Sequence, residues 1–451
     1  MKNIKNISLS SGFKKALKNT GFLTVERILN LVLAFIGGVF VARYLGPDNY
    51  GMLKYSTSLI ALVVPISILG TKHIVIRDLV KNPENENYIL GTTFILILSS
   101  SILLSIIVAA IGYILNTGQN IIQVLIIINS VNLIFNSFRV FDYWFRSKIK
   151  AKHSVIARSA SQLLLFILKI LFVFLSLSVI WFGLIIIFGA IIRSLLWLLQ
   201  YKNYNKKIKN WYFDKKYAIY LLKNTWPLIL SSVSVAIYMK LDQVMLKEML
   251  DSEAVGNYAI AVRISELWYF IPTAVCSSVF PIIIKTKQRS IKQYYDRLQY
   301  LYDIMSGFAI AIAIPVTFLS DTIINFLFGS SYSQAGPVLA LHIWAAIFVF
   351  LGVARSNWII NENLQKYGMI FTISGGISNI FLNLWLIPKI GIMGAAIATV
   401  ISQIISAWFL SVIIKKTRKA FFMQLKSITR AILIYPMIKS ARKIYNEAVN
   451  K

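Results

Sequence analysis

The chain has 451 residues, of which 57% are hydrophobic, and a formal net charge of +30. A charge this positive is common in proteins that bind nucleic acid. Here, however, the basic residues lie mostly in connections that flank long apolar runs, so membrane orientation explains them and nucleic acid is not expected as a partner. Anionic lipid headgroups are the expected partner of these charges.

Twelve apolar runs reach or approach the length of about 20 residues that crosses the hydrocarbon core of a bilayer. In chain order they are 21–45, 51–70, 91–115, 120–138, 154–177, 180–200, 224–247, 255–284, 298–319, 336–354, 368–387 and 392–414. The pattern predicts an all-α integral membrane protein with twelve transmembrane helices.

The basic residues also predict the orientation of these helices. Alternate connections together hold 37 of the 47 lysines and arginines, whereas the other set of connections holds one, Lys389. The positive-inside rule therefore places both termini in the cytoplasm. The first run contains Glu26 and Arg27 and is too long for a signal peptide, so we expect it to be an uncleaved span.

A long basic connection divides the chain. Residues 201–223 separate six predicted spans from six, which predicts an N-terminal six-helix lobe over 1–200 and a C-terminal one over 224–414. Two halves with an even number of spans share one topology, so they would be parallel repeats related by an axis along the membrane normal.

A short motif supports this repeat. Leu45 and Gly51 follow the first span with the same spacing as Leu250 and Gly256 after the seventh, 205 residues later. The alternative is that any short outer turn attracts glycine, proline, aspartate and asparagine.

The last segment, 415–451, is a basic cytoplasmic tail. Its apolar stretch from Ala431 to Ile438 lies between Arg430 and Lys439 and is too short to cross a bilayer. Together with the apolar residues upstream, it predicts a basic interfacial helix on the inner leaflet. A thirteenth span is the alternative.

Three stretches taken together resemble one transporter family. They are Tyr44 to Gly51 (YLGPDNYG), Leu241 to Ala259 (LDQVMLKEMLDSEAVGNYA) and Asn379 to Gln403 (NIFLNLWLIPKIGIMGAAIATVISQ). They are similar to the polysaccharide branch of the superfamily of multidrug, oligosaccharidyl-lipid and polysaccharide exporters, specifically to bacterial O-antigen flippases. The resemblance covers essentially the whole chain.

This resemblance implies two six-helix lobes around a central cavity that opens to either side in turn. Spans 1, 2, 7 and 8 would line the cavity, and the cargo would be an oligosaccharide repeat unit on undecaprenyl pyrophosphate. A polysaccharide polymerase and chain-length proteins are further candidate partners. The direction of transport, the sugars carried and the oligomeric state do not follow from the residues.

Ionisable side chains at membrane depth are the candidate functional residues, because each costs roughly 3 kcal/mol on insertion scales and tends to mark a transport path. Eleven occur, and eight of them fall on spans 1, 2, 7 and 8. Lysine and arginine suit a pyrophosphate. The candidate substrate-binding residues are Arg27, Arg43, Lys54, Lys169, Lys240 and Arg263.

Several of these residues have simpler interpretations. Four side chains near the membrane surfaces could simply extend to the interface, namely Arg43, Lys54, Arg158 and Arg193. Arg158 and Arg193 are not among the candidate substrate-binding residues. Arg263 and Glu266, three residues apart on a helix, could neutralise each other.

Three deep carboxylates, Glu26, Asp242 and Glu266, are candidates for coupling transport to a proton or sodium gradient. We expect Asp242 to pair across helices with a basic residue such as Arg263. No resident cofactor or metal site is expected, since His73, His153 and His342 are scattered. No nucleotide-binding motif appears either.

Three other functions are weighed against the flippase. A drug or cation antiporter of the same fold would need a cavity that accepts cations, which a basic cavity repels. A membrane polymerase or ligase usually needs a sizeable outer loop, whereas the longest here is about 320–335. A peptidoglycan-precursor flippase typically has fourteen spans. We therefore expect a transporter and not an enzyme.

Overall fold

The computed structural model of the protein describes residues 11–204 and 206–432, apart from the side chains of 11–25, Arg27 and Ala151. Most of the described residues are helical, and none of them forms a strand. The helices are α1 (Ser11–Ser67), α2 (Lys72–Lys81), α3 (Glu86–Leu115), α4 (Asn120–Val131), α5 (Arg139–Ser147), α6 (Ala151–Phe174), α7 (Val179–Lys202), α8 (Lys215–Met249), α9 (Ser252–Glu266), α10 (Phe270–Lys287), α11 (Ile291–Phe328), α12 (Ala335–His342), α13 (Ala345–Asn361), α14 (Gln365–Ile390), α15 (Ile392–Ile404), α16 (Leu410–Ile413) and α17 (Arg418–Ile432).

Eleven helical stretches of the described chain are long and apolar enough to cross a membrane. The first, Ile28–Lys81, contains both the first and the second predicted span. The two are joined at Gly46, whose φ of 70° and ψ of 172° interrupt the helical backbone of α1. Glycine adopts this conformation without a Cβ clash. The predicted all-α membrane fold is confirmed.

Large apolar side chains cover the outer surface of the membrane helices. Phe174, Phe318, Phe326 and Phe381 are each more than 60% exposed. Water would disfavour such a surface, whereas lipid tails solvate it, so these faces are suited to contact with hydrocarbon.

The described chain forms two compact units. Unit 1 comprises residues up to Leu45 together with Leu59–Val233, and unit 2 comprises Gly46–Ser58 together with the residues from Ser234 onward. These units follow contacts and not chain order. The predicted division of the chain at 201–223 therefore stays a prediction.

The core of unit 1 is aromatic. The rings of Trp144 and Phe141 on α5 lie 5.1 Å from the ring of Tyr201 at the end of α7. Trp211, from the connection between α7 and α8, packs 5.4 Å from Phe141. Edge-to-face and tilted pairs of this kind add to the stabilisation from area burial. The connection is thus part of the folded core of unit 1.

The core of unit 2 lies between α10, α11, α13 and α17. Tyr294, Tyr302, Met305 and Phe350 are fully buried there. The amphipathic helix α17 turns its small residues inward, and Ser427 shares a hydrogen bond of 2.7 Å with Ser306 of α11. The predicted basic helix of the tail is therefore present over Arg418–Ile432. The rest of the stretch from Ala431 to Ile438 lies outside the described residues.

Candidate functional site

A buried carboxylate marks the interior of unit 2. Asp242 of α8 is only 3% exposed. Its Oδ2 accepts hydrogen bonds from Tyr258 Oη at 2.6 Å and Thr399 Oγ1 at 2.5 Å, and its Oδ1 accepts one from Asn383 Nδ2 at 2.6 Å. Asn383 Nδ2 also lies 3.2 Å from Asn379 Oδ1. We call these five residues the Asp242 cluster.

Two helical hairpins assemble the cluster. Asn379 and Asn383 lie one turn apart on α14, and Thr399 comes from α15. The turn between these helices is the single residue Gly391, at φ 60° and ψ −138°, a backbone region that favours glycine. Gly394 lets the two backbones approach, since a Cβ there would be 2.6 Å from the carbonyl carbon of Leu386.

The second hairpin brings Tyr258 to Asp242. Asp251 caps α9, because its carboxylate accepts a hydrogen bond of 2.7 Å from the backbone N–H of Ala254. This cap begins α9 directly after α8 ends. Tyr258 then lies in the second turn of α9, where its hydroxyl group reaches back to the carboxylate of Asp242.

All the side chains that bind Asp242 are uncharged. Among the described residues no basic side chain forms a salt bridge with Asp242, so the predicted pairing of Asp242 with Arg263 is wrong. Within the described chain, Asn383 Oδ1 is buried without a hydrogen-bond partner. Carboxylate, amide and hydroxyl oxygens are the ligands that hard cations prefer. The cluster has the chemistry to exchange a proton or to hold a small cation.

A polar cavity of about 170 Å³ opens beside the cluster within unit 2. Asp242, Tyr258 and Thr399 line it, and so do Glu266 and His342. This volume accommodates a few water molecules or a small ion and is far too small for a glycolipid. It can serve as a hydrated environment for an ion near Asp242.

The cavity also contacts a buried cation that the sequence analysis counted among the loop charges. Arg355 is 5% exposed and donates hydrogen bonds to Ser411 Oγ at 2.6 Å and to the carbonyl oxygen of Ser406 at 2.7 Å. Ser406 lies in the π-helical turn Ile405–Phe409. Such turns widen the helix and disturb its regular hydrogen bonds, and the guanidinium group stabilises this one.

A second carboxylate of unit 2 has a cationic neighbour. Lys240 Nζ lies 3.6 Å from Glu266 Oε2, with the two side chains 30% and 23% exposed. Lys240 on α8 therefore neutralises Glu266. The predicted neutralisation of Glu266 by Arg263, on its own helix, is wrong. Lys240 and Glu266 remain close to the cavity, and Glu266 lines it.

Arg263 instead contacts the segment that follows Gly46. Its Nη1 donates to Tyr50 Oη at 3.2 Å, and Lys54 Nζ lies 5.1 Å from the centre of the Tyr50 ring. Tyr50 itself is 1% exposed. The structure thus gathers two of the predicted substrate-binding residues at one aromatic ring.

The remaining candidates belong to unit 1. Glu26 binds Arg158 in a bidentate pair, with Nε to Oε1 at 2.8 Å and Nη2 to Oε2 at 3.1 Å. Arg158 also lies 3.4 Å from Asp142 Oδ1, so its predicted extension to the interface is wrong. Lys169 is half-buried near Gly37 of α1, and Arg43 is exposed. The side chain of Arg27 lies outside the described part.

Sequence reasoning missed most of the Asp242 cluster, although a signal was present. Asn379 and Asn383 interrupt an apolar span at a spacing of four, which puts both amides on one helix face. Polar side chains at this depth seek partners inside the protein. The cluster also draws its residues from two of the three stretches that carried the family resemblance.

Comparisons with known proteins agree with this architecture. The model of the family described as polysaccharide biosynthesis protein matches residues 16–287, and the MatE model matches residues 227–385. Among curated proteins, the chain is 23% identical to the capsular polysaccharide biosynthesis protein CapF of Staphylococcus aureus over 86% of this chain and 97% of that protein. It is 29% identical to the probable flippase AglR of Haloferax volcanii, but this match covers only 37% of this chain and 36% of AglR.

Solved structures share the fold. The lipid II flippase MurJ in an inward closed conformation aligns with a TM-score of 0.71 at 18% identity, over 93% of this chain and 92% of MurJ. An inward-facing multidrug resistance transporter of the MATE family aligns with a TM-score of 0.68 at 14% identity, over 90% of this chain and 96% of that one. At these identities the likeness concerns the fold alone.

Proposed function

Because the chain belongs to the polysaccharide biosynthesis protein family, we propose that it flips an oligosaccharide linked to undecaprenyl pyrophosphate from the inner to the outer leaflet of the bacterial cytoplasmic membrane. The oligosaccharide would be a repeat unit of O-antigen or of a similar surface polysaccharide. Transport would proceed by alternating access, with both termini in the cytoplasm. The name of the relative CapF, a capsular polysaccharide biosynthesis protein, supports a surface polysaccharide as the product, and the name of AglR, a probable flippase, supports flipping as the activity.

The observation that carries the proposal is the pair of cations at Tyr50. Arg263 donates to the Tyr50 hydroxyl at 3.2 Å and Lys54 lies 5.1 Å from its ring. Two cations at one aromatic ring within membrane helices cost insertion free energy, and side chains with such a cost tend to mark a functional path. A pyrophosphate is the chemical group of the proposed cargo that two adjacent cations recognise best, through charge-assisted hydrogen bonds.

The test is the leaflet distribution of undecaprenyl-linked oligosaccharide in cells that lack the gene. We expect complete repeat units to accumulate on the inner leaflet and surface polysaccharide to be lost. Arg263→Gln should restore delivery at least tenfold less well than the parent chain, and Lys209→Ala, at an exposed inner position, should restore it fully. Normal delivery without the gene, in a strain with no second transporter, would refute the proposal.

A drug or cation antiporter of the same fold is the second candidate. The MatE match over residues 227–385 favours it, whereas the two cations at Tyr50 would repel a cationic drug. Cells that express the chain should therefore show unchanged susceptibility to cationic drugs. A clear rise in resistance that depends on Asp242 would favour the antiporter.

We further propose that Asp242 couples transport to a gradient of protons or sodium ions. Its three hydrogen-bond donors are neutral, so the charge of the carboxylate is available to a cation. Asp242, Asn383 and Thr399 supply oxygen atoms that would hold sodium, and the adjacent cavity leaves room for water. Glu26, held by Arg158, and Glu266, beside Lys240, already have cationic partners.

Membrane vesicles with an imposed gradient test this role. Asp242→Asn should abolish the dependence of transport on whichever gradient drives it, and Thr399→Val should weaken a sodium dependence more than a proton dependence because it removes a ligand oxygen. Glu26→Gln serves as the comparison and should keep the dependence. If Asp242→Asn transports with the parental gradient dependence, the coupling proposal fails.

A further inference from the structure

Unit 1 contains a helical hairpin, α6 and α7, that corresponds to the hairpin of α14 and α15 in unit 2. One contact in each hairpin shows how the two align. Ser161 Oγ donates to the carbonyl oxygen of Gly189 at 2.8 Å, and a Cβ on Gly375 would lie 3.5 Å from the carbonyl oxygen of Ser402. Gly375 follows Ser161 by 214 residues, and Ser402 follows Gly189 by 213. The same two helices therefore touch at matching positions in both units.

This alignment places Lys169 at the position that Asn383 has in the Asp242 cluster, because Asn383 follows Lys169 by the same 214 residues. The repeat of the outer turns, 205 residues apart, places Gly37 at the position of Asp242. The structure joins these two positions independently, since a Cβ on Gly37 would lie 3.4 Å from Lys169 Cδ. Gly37 thus meets Lys169 in unit 1 as Asp242 meets Asn383 in unit 2.

The residues at these positions in unit 1 do not suit a cation. Ile186 precedes Thr399 by 213 residues, so a glycine, a lysine and an isoleucine take the places of a carboxylate, an amide and a hydroxyl. Hard cations require oxygen ligands, and these three side chains supply none. Lys169 brings an ammonium group instead, two bonds beyond Cδ. A fixed positive charge in a poorly screened interior repels a second cation.

We infer that Lys169 keeps the coupling cation out of unit 1, so that the gradient acts on the protein through the Asp242 cluster of unit 2. The inference rests on the coupling role proposed for Asp242. It gives Lys169 a part in ion selectivity and not in binding the pyrophosphate of the cargo. The charge of Lys169 is attached to the chain and stays in unit 1, whereas a cation at Asp242 can enter and leave.

The position of the ammonium group is tested by thermal unfolding in detergent, in sodium-free buffer at pH 7. Gly37→Asp puts a carboxylate beside Lys169, with which it would form an ion pair. In a Lys169→Asn chain the new carboxylate lacks that partner, so Gly37→Asp should lower the melting temperature by roughly a further 3 °C or more.

The matched control for this comparison is Gly38→Asp. Gly38 is the next residue of α1 and projects from a different side of the helix. Its aspartate should cost the same with Lys169 as with Lys169→Asn. If Gly37→Asp also costs the same in both chains, the ammonium group does not lie beside residue 37 and the inference is refuted.

The exclusion of a cation is tested by binding radioactive sodium to the purified chain in detergent, with choline chloride holding the ionic strength constant. Asp242→Asn should remove the binding that the parent chain shows. In that background, Gly37→Asp and Lys169→Asn should each bind no sodium. The two together should bind it, because they recreate the pair of aspartate and asparagine found in the Asp242 cluster.

Two results of the sodium experiment would overturn the inference. One is equal binding by Gly37→Asp with and without Lys169, and the other is no binding by the combined variant although Asp242 of the parent chain binds sodium. If the parent chain binds none, sodium is not the coupling ion. The melting temperatures then decide by themselves whether Lys169 occupies the position beside residue 37.

Discussion

Carboxylates at membrane depth take two different forms in this protein. Glu26 is held by the guanidinium group of Arg158 through two hydrogen bonds. Asp242 is held by a phenol, a hydroxyl and an amide. Only the second arrangement leaves a negative charge that a transported cation could compensate. This difference is the basis of the coupling role proposed for Asp242 and of the structural role that we expect for Glu26.

The structural role of Glu26 gives a testable difference. Glu26→Gln removes one of the two carboxylates that contact Arg158 and leaves Asp142 as the other. We therefore expect a loss of about 2–4 kcal/mol, at or somewhat below the cost of breaking a buried pair. Thermal unfolding in detergent should show the loss. In the double variant with Arg158→Gln, the second substitution should add little. Full additivity of the two losses would show that the pair is not coupled.

The ion pair of Lys287 and Glu362 in unit 2 predicts that the stability of the protein depends on pH. Lys287 Nζ lies 2.8 Å from both oxygens of Glu362, and the Tyr294 hydroxyl donates to Glu362 Oε1 at 2.8 Å. Burial raises the pKa of Glu362, but the hydrogen bonds from Lys287 and Tyr294 outweigh it, and the net pKa lies below its ordinary value.

A lowered folded-state pKa fixes the sign of this pH dependence. The stabilisation is fully present above the unfolded pKa of about 4.3 and is lost as the pH falls through the lower folded value. Glu362→Gln should therefore lower the melting temperature at pH 7 and make little difference near pH 3. Glu84→Gln, at an exposed acid, should have no effect at either pH. An equal deficit of Glu362→Gln at both values would contradict the prediction.

At the scale of helices and connections, close backbone approaches organise the chain. The connection between α7 and α8 lies against α3, where a Cβ on Gly91 would be 2.6 Å from the carbonyl oxygen of Tyr212. The backbone N–H of Asp214 donates to Thr92 Oγ1 at 2.8 Å. The basic connection is therefore fixed to unit 1 by α3.

This contact predicts a cost for enlarging Gly91. Gly91→Ala forces α3 and the connection apart, and overpacking of this kind typically costs about 1–3 kcal/mol. Limited proteolysis should then cut within 203–214 faster than in the parent chain, and the melting temperature should fall. Gly376→Ala should leave both unchanged, because a Cβ there would meet its nearest neighbour at an ordinary 3.4 Å. Parental protection of the connection in Gly91→Ala would show that it is held by other contacts.

For the whole molecule, orientation in the membrane is the property that the charges predict most directly. In a Cys276→Ser background, which removes the single native cysteine, Lys209→Cys at an inner connection should react with a membrane-impermeant maleimide only after the membrane is opened. Thr117→Cys, exposed at an outer connection, should react in intact cells. The positive-inside rule is the physical reason for this difference. The opposite labelling pattern would invert the proposed topology and with it the direction of transport.

The sequence by itself determined the class of fold, because the length and apolar character of a span are properties of a local run of residues. It also pointed to Asp242, Glu266, Lys54 and Arg263, since a charge within an apolar run is visible without a structure. The resemblance to exporters rested on short stretches that the fold brings to the Asp242 cluster and to the segment that follows Gly46.

Only the tertiary structure decided which of these charges meet. Lys240 reaches Glu266, Arg263 reaches Tyr50, and Asp242 reaches Asn383 and Thr399, more than 100 residues away. Partner choice depends on how hairpins dock, and glycines such as Gly391 and Gly394 set that docking through backbone geometry. Helical periodicity describes neighbours on one helix, so it predicted the pair of Arg263 and Glu266. Helical periodicity does not describe contacts between helices, and in the structure Glu266 pairs with Lys240 and Arg263 contacts Tyr50.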